Sequence, residues 1–237
     1  MALENDSVSL NKYISSTGRC SRREADAWIE AGRVAINGNV ARKGNRVAPG
    51  DRVTIDGQPL TRTVKTIYLK YHKPAGVTTT TDRRDRSNII ERIKIKERIF
   101  PIGRLDKNST GLILLTNDGD IVNQILRKEN RHEKEYIVKV DRPITHQFMQ
   151  RMSRPIPMLG TKTLPCRVQQ LKNDVFKIVL TQGLNRQIRR MCEFCGYKVL
   201  TLKRVRIMDI RLNGLRPGEW KYLSKDELHR LKQQLRS

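Results

Sequence analysis

One acidic residue stands out as a group that could do chemistry. Asp106 lies between Arg104 and Lys107, in a polar stretch that leads into the apolar run 112–115. Because no apolar side chains would order this loop by burial, an acid held there indicates a site more than a core position. An isolated aspartate in a turn usually accepts hydrogen bonds from the nearby backbone. An ionised aspartate can act as a nucleophile or as a proton acceptor, and the residue type leaves both open.

Two further segments carry side chains of this kind. Tyr136 closes the run H-E-K-E-Y that begins at His132, and Arg189 lies in the run G-L-N-R-Q-I-R-R-M that begins at Gly183. Each residue also has an ordinary structural interpretation. Tyr136 alternates with Val138, as a half-buried strand residue would. Arginines in a short helix usually form a solvated face.

The cysteines and histidines do not predict a metal site. Cys192 and Cys195 form a C-x-x-C pair, but a tetrahedral zinc site needs two more ligands at similar close spacing. Cys20, Cys166 and the four histidines are scattered along the chain. We therefore interpret the pair as packing residues of a helix. The chain also has no G-x-G-x-x-G, P-loop or H-E-x-x-H motif, so we expect neither a cofactor nor a metal.

The charge of the chain predicts a polyanionic partner. Its 237 residues include 48 Lys and Arg against 24 Asp and Glu, a formal net charge of +24. Such an excess repels itself in a compact chain and is explained most simply by binding to nucleic acid. The chain has no run of about 18 apolar residues, so we expect no membrane span. The N-terminus has no secretory pattern, and four cysteines fit a reduced compartment, so we expect a cytoplasmic protein without membrane contact.

Residues 1–57 predict a small domain of their own. Ser21 and Glu24 have the spacing of a capping box at the start of a helix. The Asn-Gly pair at 37–38, between short apolar alternations, predicts a hairpin turn. Residues 58–66 have no periodicity and predict a linker.

Three arginines gather where this second helix begins. Arg19, Arg22 and Arg23 lie at an end where free backbone N–H groups and the helix dipole already favour a phosphate group. Helices that serve structure alone usually keep cations away from this end, so we interpret the three as phosphate-binding residues. The alternative is an ordinary solvated helix start.

From residue 67 to 237 the pattern predicts a second, larger domain. Strands are predicted at 67–72, 135–140, 175–180 and 205–212, and helices at 121–126, 143–152, 186–194 and 224–235. Strands and helices are mixed without regular βαβ alternation. This order predicts an α+β fold with a mixed, largely antiparallel sheet.

The candidate segments resemble a known family of RNA-modifying enzymes. The run G-R-L-D-K-N-S-T-G-L-I from Gly103 resembles the G-R-L-D-x-x-(S/T)-x-G-L-(L/I) loop of pseudouridine synthases. His72 opens H-K-P-A-G, which resembles their N-K-P-x-G motif with His in place of Asn. The segments that contain Tyr136 and Arg189 resemble their K-x-Y and G-x-x-(H/R)-Q-(I/V)-(R/K)-R-M motifs. The N-terminal segments L-N-K-x-I, C-S-R-R-E-A and P-G-D-x-V resemble the S4 RNA-binding domain, as in the bacterial ribosomal branch of the family.

This resemblance implies a reaction and a role for each residue. Uridine becomes pseudouridine when the N1–C1′ bond breaks and C5 joins C1′, which consumes no electrons, phosphate or metal. Asp106 would be the catalytic carboxylate, Arg189 would keep it ionised, and Tyr136 would stack on the extruded uracil. Whether Tyr136 also removes the C5 proton stays open. The residues expected to contact RNA are Arg19, Arg22, Arg23, Lys73, Arg104, Asn185, Arg186 and Arg190.

We expect a monomeric RNA-binding enzyme whose substrate is 23S ribosomal RNA, with transfer RNA as a second possibility. A different class, a non-catalytic S4-domain factor in ribosome assembly, would also explain the charge and the N-terminal domain. Such a binder has no use for the combination of Asp106, Tyr136 and Arg189, because an acid in a basic surface weakens its contact with phosphate. A deaminase or nuclease would need clusters of metal ligands.

Overall fold

The computed structural model describes residues 7–61, 65–127 and 130–235, and these form two compact units. The first unit contains the described part of Met1–Thr66 together with Ile95–Arg98 and Asn117–Gly119. The second contains the described part of Ile67–Lys94, Ile99–Thr116 and Asp120–Ser237.

The first unit has two helices and two small antiparallel sheets. Its elements are β1 Val8–Ser9, α1 Leu10–Ser16, α2 Arg22–Glu30, β2 Val34–Ile36, β3 Asn39–Val40, β4 Arg46–Val47, β5 Val53–Ile55 and β6 Gln58–Pro59. One sheet has the strand order β3-β2-β5-β6, and the other pairs β1 with β4. Apolar residues of both helices, among them Ile14 and Ile29, pack with Val34 and Val53 in one core.

Local sequence determines much of this unit. The Ser21 hydroxyl accepts a hydrogen bond from the backbone of Glu24, and the Glu24 carboxylate accepts one from the backbone of Ser21, so the predicted capping box is confirmed. Asn37 and Gly38 have φ values of 51° and 85° between β2 and β3. Positive φ at both central residues is what a two-residue hairpin turn requires, so the predicted turn is also confirmed.

The second unit is built on a large mixed sheet. The remaining elements are β7 Tyr68–Lys73, α3 Ile89–Ile93, β8 Phe100–Ile102, β9 Thr110–Thr116, α4 Gly119–Leu126, β10 Lys134–Val140, α5 His146–Ser153, β11 Pro157–Met158, β12 Thr161–Lys162, β13 Arg167–Lys172, β14 Val175–Leu180, α6 Gln187–Phe194, β15 Val199–Ile207, β16 Ile210–Arg211, β17 Trp220–Tyr222 and α7 Lys225–Gln234. The main sheet has the order β13-β14-β10-β15-β9-β7-β17. Among its described strands, all pairs are antiparallel except β9 with β15. The predicted α+β class with a largely antiparallel sheet is confirmed.

Some predicted bounds were wrong. The strand predicted at 205–212 instead begins at Val199 and ends at Ile207, where Met208 turns the chain with φ 49°. The earlier start follows from pairing with β10, which buries Val199 and Leu202. The helix predicted at 143–152 begins later, because the Thr145 hydroxyl caps it.

Two clusters of buried side chains pack against the sheet. One joins α5 and α6 to β10, β14 and β15 and contains Phe148, Met191 and Cys192. The other joins α4 and α7 to β7, β8 and β9. A buried ion pair also links β7 to α7, with Lys70 Nζ 2.6 Å from Glu227 Oε1.

Candidate active site

Asp106 lies in the tight loop that joins β8 to β9. Gly103 leaves β8 with φ 77°, and the Ser109 backbone N–H donates to the Asp106 carbonyl at 3.0 Å to close the turn before β9. The Asp106 side chain is 34% exposed, so a substrate can reach the carboxylate.

Lys73 at the end of β7 stabilises this loop through hydrogen bonds of its side chain. Its ammonium group donates to the carbonyls of Pro74, Val77 and Lys107 at 2.9, 2.7 and 3.0 Å. Burial lowers the pKa of Lys73 to about 8, and the negative charge of Asp106 opposes that shift. Lys73 is fully buried, so the interpretation of Lys73 as an RNA contact is corrected: the side chain orders the loop.

The residues on both sides of Asp106 are bonded to the chain that follows β7. The Thr79 hydroxyl donates to the Leu105 carbonyl at 2.9 Å and accepts from the Leu105 N–H at 3.2 Å. The Gly76 N–H donates to the Lys107 carbonyl at 2.9 Å. Because hydrogen bonds hold its two neighbours, Asp106 has little freedom to move within the loop.

Two arginines at the start of α6 face the Asp106 carboxylate. Arg189 Nε and Arg186 Nη1 each lie 3.7 Å from Asp106 Oδ2. The Arg189 side chain is only 13% exposed and also donates to the Val199 carbonyl at 3.3 Å and the Ser109 hydroxyl at 3.5 Å. Its Nε is buried and, within the described residues, has no hydrogen-bond partner.

Arg189 is therefore a fixed positive charge beside the acid. Coulomb's law gives about 1 kcal/mol in water and about 4 kcal/mol at an effective dielectric of 20 for charges this far apart. The partial exposure of Asp106 places the pair nearer the lower value. An ionised carboxylate is the form that can attack carbon or accept a proton.

Gly111 allows β9 and β15 to approach closely where β9 leaves the loop that carries Asp106. Gly111 is paired with Arg204 and has φ 106°, and a Cβ added there would lie 2.1 Å from the Arg204 carbonyl oxygen. On the other side of β15, Tyr136 of β10 is paired with the same Arg204. The half-buried Tyr136 thus lies in one row across the sheet with Gly111, five residues after Asp106.

Two basic residues near this row, the half-buried Lys134 and the buried Arg204, were given no role from the sequence. Burial lowers the pKa of Lys134 to about 8, and the charge of Arg204 lowers it further. Arg204 is buried and donates from Nε to the Leu112 carbonyl at 2.7 Å. Lys134 and Tyr136 are two residues apart in a strand, so alternation could have placed both on one face. No sequence signal indicated the burial of Arg204.

Of the other predicted residues, Arg190 is half-buried and the rest are exposed. Arg104 is exposed beside Asp106, and the Arg190 guanidinium donates to the Asn185 carbonyl at 3.1 Å. In the first unit, the predicted arginines at the start of α2 are exposed. These are Arg19, Arg22 and Arg23.

The cysteines of the C-x-x-C pair are free and pack in the second unit. Burial raises the pKa of the Cys192 thiol well above its usual value, which disfavours the reactive thiolate. Within residues 7–61, 65–127 and 130–235, no group of three or more His, Cys, Asp or Glu residues could hold a metal ion. In the same residues, no helix combines the length and the apolar character that a membrane span needs.

Two family models match the chain. The model of RNA pseudouridylate synthases matches residues 67–194, and the model of the S4 domain matches residues 8–53. Asp106, Tyr136 and Arg189 all lie within the first match.

Similar proteins occur in several bacteria. The chain is 52% identical over 228 residues to a dual-specificity RNA pseudouridine synthase, RluF, of Escherichia coli K12, covering 95% of this chain and 79% of that protein. It is 33% identical over 232 residues to ribosomal large subunit pseudouridine synthase B of Bacillus subtilis, covering 94% and 95%. A crystal structure of a pseudouridylate synthase superposes with a TM-score of 0.70 at 26% identity, covering 94% and 99%.

Proposed function

This chain belongs to the RNA pseudouridine synthases that carry an N-terminal S4 domain, and on that premise we propose that it isomerises a uridine of 23S ribosomal RNA with Asp106 as the essential carboxylate. The family establishes the enzyme class and RNA as the substrate class. The particular RNA and the roles of individual residues are our proposal.

The reaction has one demanding step, the cleavage of the N1–C1′ glycosidic bond. The free uracil then turns so that C5 bonds to C1′, C5 loses its proton and N1 gains one. Asp106 assists the cleavage either by attack on carbon or by removal of a sugar proton, and both routes use the ionised carboxylate. No electrons, phosphate or metal ion are consumed.

One observation carries this assignment: a single acid is fixed in place and partly exposed in a strongly basic environment. Hydrogen bonds hold Leu105 and Lys107 on either side of Asp106. Arg189 is locked 3.7 Å from the carboxylate by its own contacts. A carboxylate in a phosphate-binding surface weakens binding, so its rigid support is best explained by catalysis.

Tyr136 and the surface arginines complete the proposal. A uridine within a folded RNA must leave its base stack before its glycosidic bond can be reached, and an aromatic side chain can stack on the extruded base. We assign that role to Tyr136. We assign phosphate contacts to Arg104, Arg186 and Arg190, and further contacts in the first unit to the arginines at the start of α2.

Two relatives support the choice of RNA. One is named for the ribosomal large subunit, and the more similar one is named for dual specificity. We therefore propose 23S ribosomal RNA as a substrate of this chain and expect a second RNA, with transfer RNA as the candidate. We also propose that the protein acts as a monomer in the cytoplasm.

Mapping pseudouridines in cells tests this function. Ribosomal and transfer RNA from cells with and without the gene are compared by a chemical adduct that stops reverse transcription at pseudouridine. We expect at least one 23S position to lose its pseudouridine in the deleted strain and to regain it when the gene is restored. Identical maps in both strains would overturn the proposal.

A further inference from the structure

A short loop beside the active site carries five charged residues that the proposed mechanism does not use. The loop runs from residue 80 to residue 87 between β7 and α3 and contains the sequence Asp-Arg-Arg-Asp-Arg at 82–86. We name it the arginine loop. A run of mixed charge is most often a solvated surface, so its internal contacts decide whether it is more.

The two acids of the arginine loop are engaged within it. Asp82 Oδ2 accepts from Arg84 Nη2 at 2.7 Å, and its other oxygen accepts from the Arg84 backbone at 3.0 Å. Asp85 accepts from the Ser87 N–H at 2.8 Å and from the Ser87 hydroxyl at 2.6 Å. These contacts shape the loop and neutralise the charge of Arg84.

The other two arginines of the loop stay free. Arg83 and Arg86 are both exposed, and neither makes an ion pair or side-chain hydrogen bond with any residue that the structure describes. Asp82 pairs with Arg84 and Asp85 is hydrogen-bonded to Ser87, so neither acid pairs with these two guanidinium groups. The charge of Asp85 offsets one of the two cations, and the loop keeps a net positive charge. An arginine guanidinium matches the geometry of a phosphate group with two parallel N–H bonds.

Hydrogen bonds connect the arginine loop to the loop between β8 and β9 that carries Asp106. At its base, the Thr78 N–H donates to the Ser87 carbonyl at 2.9 Å, and the Ile89 N–H donates to the Thr78 carbonyl at 3.0 Å. The next residue, Thr79, is bonded in both directions to Leu105, the neighbour of Asp106. The charge of Lys107 also helps to lower the pKa of Asp85, after the larger effect of Ser87, so the two loops lie close together.

We infer that Arg83 and Arg86 bind phosphate groups of the substrate RNA next to the uridine that is isomerised. This inference rests on the proposed function and adds further phosphate contacts within the unit that carries Asp106. Phosphate contacts of this kind fix register without reading sequence. Since the loop and Asp106 share one hydrogen-bonded support, phosphates bound by the arginines would lie close to the carboxylate.

The test compares RNA binding across salt concentrations for the full-length protein and its variant Arg83→Gln/Arg86→Gln. The probe is an unmodified transcript of the 23S stem-loop that carries the uridine mapped in cells. Each lost phosphate contact lowers the slope of log K against log salt by about 0.7 to 0.9. Two contacts therefore change the slope by about 1.4 to 1.8, which corresponds to about 25- to 60-fold weaker binding at 0.1 M salt if counterion release is the whole contribution.

Two control variants separate this effect from others. Asp82→Asn/Arg84→Gln removes the paired charges of the same loop without changing net charge. Lys225→Gln/Arg230→Gln removes two exposed cations from α7 instead. We expect both to keep the wild-type slope within about 0.5, because neither removes a phosphate contact.

The outcomes distinguish this inference from the proposed function. If the variant of Arg83 and Arg86 keeps the wild-type slope, or changes it no more than the α7 variant does, the inference is overturned while wild-type pseudouridine formation leaves the function intact. If wild-type protein forms no pseudouridine in the stem-loop or in cells, the function fails, and the substrate named here fails with it. At saturating RNA we expect the variant to retain its single-turnover rate within about threefold.

Discussion

Replacement of Gly111 by alanine tests how the sheet positions the loop that carries Asp106. In the present backbone the new Cβ would lie 2.1 Å from the Arg204 carbonyl oxygen and 2.6 Å from the Arg204 nitrogen. Ordinary contact begins at 3.4 Å, so β9 and β15 would have to separate by about 1.3 Å, the difference between 3.4 and 2.1 Å. The φ of 106° adds backbone strain for any residue with a Cβ.

The loss of stability follows from these two effects. Left-handed strain costs about 1–3 kcal/mol, and overpacking costs about 1–3 kcal/mol. A weakened inter-strand hydrogen bond adds about 1 kcal/mol. The expected loss is therefore about 3–7 kcal/mol, a large part of the roughly 5–15 kcal/mol that stabilises an ordinary domain. A shift of about 1 Å at Gly111 would also reach Asp106, and misplacement on that scale can reduce a rate about a hundredfold.

Urea unfolding and single-turnover kinetics measure both effects. Gly183→Ala is the matched control, because a Cβ at Gly183 meets no atom within 4 Å and its φ is not positive. We expect the Gly111→Ala midpoint to fall by at least about 1 M while the control stays near wild type. Equal midpoints for the two variants, with equal rates, would refute the close approach of β9 to β15.

The remaining predictions concern the tyrosine, the buried ion pair and the first unit. Tyr136→Phe should bind RNA normally but form product about 10²- to 10⁴-fold more slowly if the hydroxyl moves a proton; an unchanged rate would leave only stacking. Glu227→Gln should lower the free energy of unfolding by about 3–5 kcal/mol at neutral pH, because it leaves Lys70 buried without its partner. Lys70→Met/Glu227→Gln should be nearly neutral, because it removes both charges and keeps the acceptor for the Ser224 N–H in the capping box of α7. Burial is the largest effect on the pKa of Glu227 and would raise it, but the hydrogen bonds from Lys70 and the Ser224 backbone, together with the charges of Lys70 and Arg230, outweigh burial and lower the pKa. The stabilisation is thus present above the unfolded-state pKa and is lost as pH falls through the folded-state pKa. Wild type and Glu227→Gln should therefore converge in acid, and a constant difference would contradict this. Arg22→Gln/Arg23→Gln should reduce the salt slope of RNA binding by about 1.4–1.8 without changing the saturating rate, and an unaltered slope would exclude phosphate contacts there.

Local features of the structure were predictable from the sequence. The capping box at Ser21, the turn at Asn37 and the helix near Arg189 each depend on residues a few positions apart. The segments that form the candidate site are also short and continuous. Composition and order alone predicted an α+β fold, since mixed strands and helices without regular alternation exclude a doubly wound sheet.

Features that depend on distant parts of the chain were not predictable. A lysine next to a proline at the end of a strand usually indicates a surface turn. Lys73 is buried instead, and its ammonium group donates to three backbone carbonyls. One of these carbonyls belongs to Lys107, which is far away in the sequence. The parallel pairing of Gly111 with Arg204 joins residues far apart in sequence. The ion pairs of Asp82 and the free state of Arg83 depend on side-chain geometry that a run of charges does not reveal.

The most direct test of the account measures Asp106→Asn on the mapped 23S stem-loop, with RNA affinity and single-turnover pseudouridine formation determined together. Asp120→Asn, in the first turn of α4, is the matched control. The amide keeps the shape of the side chain but can neither attack carbon nor accept a proton. We predict affinity within about threefold of wild type, product formation reduced by more than about a hundredfold, and a control with normal activity. Asp106→Asn protein that binds RNA and retains more than about a hundredth of the wild-type rate would contradict the central claim.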